Sequence, residues 1–322
     1  MSSMTSLPRR RVGTSDVEVS QLSLGSWHTY DRMDFADAVT MIRTAVAAGV
    51  NLFDVGVYGI PGMAPVFTDV LWSAIMRASG IPREEYLVSA KLWIEGFDDE
   101  RGFRPQLTNA FLRGGFDYAD LVILGDLRDA EVELEDLVDD LSGLARAGLV
   151  RAWGVNNWSA TNIRALREIA AARGVDGPQI AQLKYSVARR SIPDGEPFAK
   201  LFAEGFTMQA SDVLEGGILT GRTDLTREVG RDPGAVRDAI ARSTAGLVEL
   251  AEKLGTSAAR LAVAFTLTHP ANVTTLFGAT KLAQLEDNLA AVDLVEQVGA
   301  DELRALVEPF WADRGVVDPE GP

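Results

Sequence analysis

Cysteine is absent from the 322-residue chain, and histidine occurs only twice, as His28 and His269. The absence of thiols excludes disulfides, thiolate nucleophiles and cysteine-based metal centres. Two imidazoles are too few for a multi-histidine metal site. We therefore expect a protein that binds no metal.

Positive charge is also scarce. The chain has 31 lysines and arginines against 46 aspartates and glutamates, for a net charge of −15. Nucleic-acid binding needs a basic surface that releases counterions, so we expect no nucleic-acid partner. A phosphate-bearing cofactor would have to be held by local features, such as backbone N–H groups at helix starts and a few well-placed cations.

Long apolar runs are missing as well. No window approaches the roughly 18 apolar residues of a membrane span, and residues 1–11 lack the apolar stretch of a secretory signal. The contents of 47% hydrophobic and 24% charged residues are typical of a soluble globular protein. We expect a cytoplasmic protein with no membrane partner. Because no linker or repeat divides residues 1–322, one domain is expected.

Short β-branched runs alternate with longer amphipathic segments along the chain. The strand-like runs are 21–26, 51–55, 86–92, 118–124, 150–155, 179–185, 206–211 and 273–277. The helical patterns are 34–48, 104–113, 134–147, 161–173, 196–203, 257–268 and 281–292. This alternation predicts an α/β fold with parallel strands and right-handed crossovers, and eight such units fit a closed (β/α)8 TIM barrel.

Three further segments complete the predicted fold. Residues 11–19 predict an N-terminal β-hairpin, 221–238 a polar loop, and 239–254 an additional helix in the C-terminal part. An open doubly wound sheet is the alternative. It would need a Gly-x-Gly-x-x-Gly turn after an early strand, and Leu24-Gly25-Ser26-Trp27 does not supply one.

In a barrel the carboxyl ends of the strands build the active site, so the residues that follow each strand-like run are the candidates. Segments at these positions resemble the aldo-keto reductase superfamily, in the family's order and over nearly the whole chain. They include Asn51-Leu52-Phe53-Asp54 with Tyr58-Gly59, Ser89-Ala90-Lys91-Leu92-Trp93, Trp153-Gly154-Val155-Asn156-Asn157-Trp158-Ser159, and Gly278-Ala279-Thr280. The resemblance implies hydride transfer from NADPH to a carbonyl, with a tyrosine as the proton donor.

The resemblance assigns catalytic roles to Asp54, Tyr58 and Lys91. The lysine makes the tyrosine more acidic and the aspartate orients the lysine. A phenol, whose pKa is ordinarily about 10, needs such a neighbour to act as an acid near neutrality. Tyr58 follows Asp54 by four residues, whereas the family places its tyrosine five residues on.

The family's catalytic histidine, which polarises the carbonyl, is replaced by Gly125 in the segment Ile123-Leu124-Gly125-Asp126. His28, on the same rim, is the predicted catalytic substitute. Asp126 is the alternative, although a carboxylate polarises a carbonyl poorly unless it is protonated. Potassium-channel β subunits share the fold and also lack the histidine, so its absence alone does not exclude redox turnover.

The resemblance also places the cofactor, for which NADP is predicted with NAD as the alternative. Asn156, Asn157 and Gln182 match the residues that hold the nicotinamide carboxamide. The other predicted contacts are Ser26, Trp27, Ser211, Leu214, Gly216, Leu219, Gly278, Thr280, Lys281, Gln284 and Asn288. Ala210 replaces the aromatic residue that stacks on the nicotinamide. Lys281 stands at the 2′-phosphate position without a bidentate arginine clamp, which would weaken the selectivity for NADP over NAD.

Aromatic residues at the strand ends indicate a pocket for an apolar or ring-containing carbonyl compound. The predicted substrate contacts are Trp27, Trp93, Asp126 and Trp158. The predicted function is therefore an NADP(H)-dependent oxidoreductase that reduces a ketone or aldehyde. Two alternatives stay open: a non-redox acid–base enzyme of a biosynthetic pathway, such as a dehydratase, cyclase or isomerase, and a nucleotide-sensing barrel without catalysis.

Overall fold

The structure is a computed structural model that describes residues 7–27, 29–56, 66–98, 100–127, 132–222, 234–317 and 319–320. It begins with an antiparallel hairpin, and eight parallel strands then close into one barrel. The hairpin strands are β1 (Arg9–Arg11) and β2 (Glu18–Ser20). The barrel strands are β3 (Leu22–Gly25), β4 (Leu52–Val55), β5 (Leu87–Leu92), β6 (Ala119–Leu124), β7 (Val150–Asn156), β8 (Ile180–Lys184), β9 (Thr207–Ser211) and β10 (Asn272–Phe277). The predicted barrel with its hairpin is confirmed.

Helices surround the barrel and cover the outward faces of its strands. They are α1 (Phe35–Ala47), α2 (Thr68–Ser79), α3 (Arg104–Gly114), α4 (Leu134–Arg146), α5 (Ala160–Arg173), α6 (Glu196–Ala203), α7 (Gly234–Lys253), α8 (Ala258–Leu267), α9 (Leu282–Leu289), α10 (Ala291–Val298) and α11 (Ala300–Val307). The predicted helix 281–292 is in fact two helices, α9 and α10, which meet at Ala290. No helix in the described ranges is both long and apolar enough to span a membrane.

Side-chain caps fix where several helices begin. Asp34 accepts a hydrogen bond from the N–H of Ala36 at the start of α1, and Ser257 accepts from that of Arg260 at the start of α8. Ser159 caps α5 in the same way, directly after the residues that end β7. Such caps satisfy N–H groups that a helix leaves without partners. The cap on α5 therefore helps to fix the chain beside Asn156 and Asn157.

The amino-terminal half of the barrel interior is apolar and is closed by the hairpin. Val12, Val17 and Val19 pack on inward-facing barrel residues, namely Leu52, Leu121, Ile123, Ala152, Ile180 and Val273. The hairpin turn is held by hydrogen bonds from the N–H of Gly13 to Thr207 Oγ1 at 3.1 Å and from the N–H of Thr14 to Gln179 Oε1 at 2.8 Å. Gly13 has a φ of 53°, and a Cβ there would lie 2.3 Å from Gln179 Oε1, so this close approach requires glycine.

Strand alternation places the polar residues above this apolar layer. Asp54 and Gln182 lie two residues beyond the inward-facing Leu52 and Ile180, so they also face into the barrel. The pairing of β8 with β9 sets Gln182 beside Gln209. The same alternation on β5 turns Lys91 inward, toward the end of the barrel at which the strands stop.

Candidate active site

Four side chains from four strands form one hydrogen-bonded network inside the carboxyl-terminal half of the barrel. Lys91 Nζ donates to Gln182 Oε1. Gln182 Nε2 donates to Asp54 Oδ2 at 3.0 Å and to Gln209 Oε1 at 2.6 Å. The residues are buried, with exposed fractions of 8% for Lys91, 7% for Asp54, 3% for Gln182 and 0% for Gln209. The side-chain amide of Gln182 thus lies between the lysine and the aspartate.

This network places two opposite charges in an environment with little water. A buried charge is tolerated where it is paired and hydrogen-bonded, and here the amide links the ammonium to the carboxylate. Some polar atoms of the layer have no hydrogen-bond partner among the described residues, namely Ser26 Oγ, Asp54 Oδ1, Ser89 Oγ and Gln209 Nε2.

Gly125, the residue in place of the family's histidine, lies directly after β6 beneath the indole of Trp93. Its N–H donates to the carbonyl of Leu92 at 2.7 Å, and its carbonyl accepts from Trp158 Nε1 at 2.8 Å. A Cβ added at Gly125 would lie 2.6 Å from Trp93 Cε3. The indole fills the space that any larger side chain would need. Glycine at position 125 and tryptophan at position 93 are therefore coupled.

Asp126 points at the two asparagines that end β7. Its Oδ1 accepts from Nδ2 of Asn156 and, at 3.4 Å, from Nδ2 of Asn157. Asn157 has a φ of 55°, in the left-handed region, and its N–H donates to the carbonyl of Gln182 at 2.9 Å. The amide donors that the resemblance assigns to the nicotinamide thus already have an acceptor within the chain.

The predicted substrate contacts fall into two groups. Trp27, Trp93 and Asp126 are partly exposed at the rim. Trp158 is completely buried, and its indole N–H is used by Gly125. Its ring is packed behind the rim, and its contact with a substrate stays a prediction. Trp158 supports the segment that carries Gly125 and Asp126.

The segment after β9, where Leu214, Gly216 and Leu219 are predicted to meet the cofactor, folds into a short 3-10 helix, Glu215–Thr220. Glu215 has a φ of 49° and is buried. It accepts from Ser186 Oγ at 2.6 Å and from Arg189 Nε at 2.9 Å. Burial raises the pKa of Glu215 to about 7, against the opposing effect of the Arg189 guanidinium. This ion pair joins the segments that follow β8 and β9.

The predicted adenine and 2′-phosphate residues lie around the start of α9. Lys281 is exposed at the position before the helix. Gln284 Oε1 accepts from the N–H of Thr280 at 2.9 Å and so orders the preceding turn. Asn288 is buried, and its Oδ1 has no partner in the described part of the chain. An acceptor of this kind fits an adenine amino group.

Several predicted residues stay predictions, and one member of the network was missed. Tyr58 and His28 lie outside the described residues. Ser26 and Ser211 are buried at the ends of their strands, whereas Gly278 is exposed after β10. Gln209 belongs to no motif that sequence reasoning could use. The only signal that could have found it is its register beside Gln182 on the neighbouring strand.

Comparisons with known proteins agree with this architecture. The model of the Aldo/keto reductase family matches residues 21–307. A probable voltage-gated potassium channel subunit beta from Oryza sativa subsp. japonica is 27% identical over 320 residues, which cover 93% of this chain and 96% of the relative. A putative subunit of the same name from Schizosaccharomyces pombe is 25% identical over 94% of this chain and 93% of its own length. A probable one from Arabidopsis thaliana is 27% identical over 89% of this chain and 91% of its own length.

Proposed function

We propose, since the chain belongs to the Aldo/keto reductase family, that it is an NADP(H)-dependent oxidoreductase that reduces a ketone or aldehyde of a small or ring-containing metabolite. The observation that carries this proposal is the buried Lys91, linked to Asp54 through Gln182 at the carboxyl-terminal face of the barrel. Reaction centres of barrel enzymes lie at this face. A buried ammonium beside a carboxylate suits the activation of a neighbouring acid.

In this proposal Tyr58 donates a proton to the carbonyl oxygen as the hydride arrives at the carbonyl carbon. The positive charge of Lys91 stabilises the phenolate that is left, and Asp54 and Gln182 hold the lysine in place. His28 is the proposed polarising group. A polarising group from another position is needed because residue 125 is a glycine. Trp93 fills the space beside it and leaves no room for the family's histidine.

The residues present fit a dinucleotide in part. The buried acceptor of Asn288 and the exposed Lys281 fit the adenine and the 2′-phosphate. The other proposed contacts run along the rim: Ser26, Trp27, Asn156, Asn157, Ser211, Leu214, Gly216, Leu219, Gly278, Thr280 and Gln284. When bound, the cofactor supplies the hydride. Trp27, Trp93 and Asp126 are the proposed substrate contacts.

Binding and turnover test the proposal separately. We expect purified protein to quench or shift NADPH fluorescence with a saturable dissociation constant, and to oxidise NADPH when a panel of ketones and aldehydes is added. The Tyr58→Phe variant should keep the binding and lose the oxidation. Absence of binding would overturn the proposal. Binding of NADPH without turnover on any carbonyl would instead favour a nucleotide-sensing barrel without catalysis.

A non-redox acid–base enzyme is the second candidate, and one observation favours it. Asp126 accepts from both Asn156 and Asn157, which leaves these amides engaged within the chain. If this contact excludes the nicotinamide, Asp126→Ala should tighten NADPH binding, because the oxygen acceptor for the two amides is removed. Asp139→Ala, at an exposed aspartate of α4, is the matched control. Equal affinity of Asp126→Ala and the natural protein would remove the support for this second candidate.

A further inference from the structure

We propose that Gln182 is a positioning residue for Lys91 and Asp54 rather than a ligand of the nicotinamide carboxamide, and that Gln209 commits it to this role. The inference deepens the proposed reductase function and rests on it in its kinetic part. It starts from the hydrogen-bonding capacity of one side chain. A glutamine amide has one carbonyl oxygen and one NH₂ group with two hydrogens.

Every hydrogen of the Gln182 amide already has an acceptor. One is directed to Asp54 Oδ2 at 3.0 Å and the other to Gln209 Oε1 at 2.6 Å. The carbonyl oxygen accepts from Lys91 Nζ. Because Gln182 is only 3% exposed, water offers no replacement for a bond that is broken. The amide therefore has no N–H left for the oxygen of a bound carboxamide.

Lys91 fixes which way the amide points. An ammonium group has three donors and no acceptor, so it must face the oxygen of Gln182 and not its nitrogen. The nitrogen is then turned toward Asp54 and Gln209, both of which present oxygens. A flip of either amide would set two donors against each other. The orientation of Gln209 is thus determined by Lys91 through Gln182.

Gln209 contributes one acceptor and little else to the interior. It is completely buried, its Oε1 accepts from Gln182, and its Nε2 has no partner among the described residues. A buried amide nitrogen without a partner is unfavourable, so an apolar side chain would pack at lower cost in this position. An apolar replacement would pack well but would lose the hydrogen bond to Gln182. The role that remains for Gln209 is therefore to position Gln182.

Kinetics of three variants test the assignment. We expect Gln182→Met to bind NADPH within about twofold of the natural protein and to lower kcat about tenfold to a hundredfold, because the lysine loses its acceptor. Gln209→Met should lower kcat in the same direction and leave the Kd unchanged. Gln209→Glu keeps an oxygen acceptor and should retain more kcat than Gln209→Met. A weakening of NADPH binding by tenfold or more in Gln182→Met, with kcat retained, would overturn the inference.

A readout without cofactor separates this inference from the proposed function. The chain has only five lysines, so the side-chain NMR signals of labelled lysine are few, and Lys91→Met identifies the signal of Lys91. We expect this signal to move in Gln182→Met and in Gln209→Met. It should not move in the control Ser142→Ala, which removes a buried hydroxyl without a described partner from α4, outside the network.

The outcomes of this NMR experiment are decisive whether or not NADPH binds. Loss of dinucleotide binding would contradict the reductase proposal, but the lysine NMR signals could still be compared between the variants. An unmoved Lys91 signal in folded Gln209→Met would contradict the link from Gln209 through Gln182 to the lysine. If Gln209→Met does not fold, Gln209→Asn supplies the comparison: it keeps a neutral amide, but its shorter side chain withdraws the acceptor from Gln182, so the Lys91 signal must move if the link exists.

Discussion

The interior of the barrel changes character between its amino-terminal and carboxyl-terminal halves. Leu52 and Ile180 belong to the apolar layer that the hairpin covers, and Asp54 and Gln182 follow two residues later on the same strands. One step of strand alternation therefore separates a layer that stabilises the fold from a layer that carries charge. A substitution in one layer should affect stability, and a substitution in the other should affect chemistry.

The backbone and the surfaces of the two ends differ as well. The three described non-glycine residues with positive φ, Asn157, Asp212 and Glu215, all lie after strand ends at the carboxyl-terminal face. Strained conformations of this kind cluster at functional sites. The opposite end has a cleft of about 510 Å³ lined by charges of both signs, such as Glu84 and Arg151, but it contains no residue of the candidate site. This cleft is thus remote from the proposed chemistry.

Removal of the buried ammonium should have the largest effect. We expect Lys91→Met to lower carbonyl reduction about a thousandfold, since the charge that stabilises the phenolate is lost. This corresponds to about 4 kcal/mol of transition-state free energy. Steady-state kinetics measure it, and Lys200→Met, at an exposed lysine paired with Glu196, is the matched control. Full activity in Lys91→Met would erase the proposed distinction between the two layers.

Truncation in the apolar layer should act on stability instead. Leu121→Ala should lower the free energy of unfolding by about 3 kcal/mol, because a fully buried side chain is replaced by a cavity. Urea denaturation measures the loss, and NADPH titration of the folded variant should give the Kd of the natural protein. A variant of normal stability with impaired nucleotide binding would show that this layer also serves the site.

The coupling of Gly125 and Trp93 gives an intermediate effect at the boundary of the site. Gly125→Ala should destabilise the fold by about 1 to 3 kcal/mol, since the added Cβ would lie 2.6 Å from the indole. Unfolding experiments on Gly125→Ala, Trp93→Leu and the double variant complete a thermodynamic cycle. The alanine should be better tolerated when the indole is absent. Strict additivity of the two changes would contradict the packing described for Gly125.

The smallest effect concerns the buried Glu215. Burial raises its pKa in the folded protein to about 7, from an ordinary value of 4.5. The folded state then binds the proton more tightly than the unfolded chain, so this group's contribution to stability is lost as the pH rises through about 7. Glu215→Gln removes the titrating carboxyl. The fall in the free energy of unfolding between the two pKa values should then be smaller by on the order of 1 kcal/mol.

Urea denaturation at several pH values between the two pKa values measures the slope of the free energy of unfolding against pH. Glu302→Gln, at an exposed glutamate, is the control and should leave the slope unchanged. Identical slopes in Glu215→Gln and the natural protein would show that the strained segment after β9 does not titrate in this range.

Most of the fold follows from the periodicity of the chain. All eight barrel strands fall within one residue of the predicted runs, because each is a short and largely buried stretch bounded by turns or helices. The helices α2 and α11 were not predicted, although α2 buries Trp72, Ile75, Met76 and Ser79 at helical spacing. The division between α9 and α10 at Ala290 has no local signal, since alanine favours the interior of a helix.

The candidate site was only partly readable from the sequence. Family motifs identify Asp54, Lys91 and Gln182, and the structure brings these three together. Gln209 joins them through the register of two neighbouring strands, and a motif along one strand does not encode that pairing. The filling of the space at Gly125 depends on the direction of the Trp93 ring. Contacts that arise between distant segments were the ones that sequence reasoning missed.

The hairpin across the amino-terminal end has a kinetic consequence. With Val12, Val17 and Val19 packed into that end, the interior communicates with solvent through the opposite mouth. Substrate, product and dinucleotide would then enter and leave by one route. A product that lingers in this entrance would hold the oxidised dinucleotide behind it. Product and substrate would then bind different dinucleotide forms of the protein, so mixed product inhibition against the substrate is the expected pattern. Exchange of the dinucleotide would wait until the smaller molecule has left.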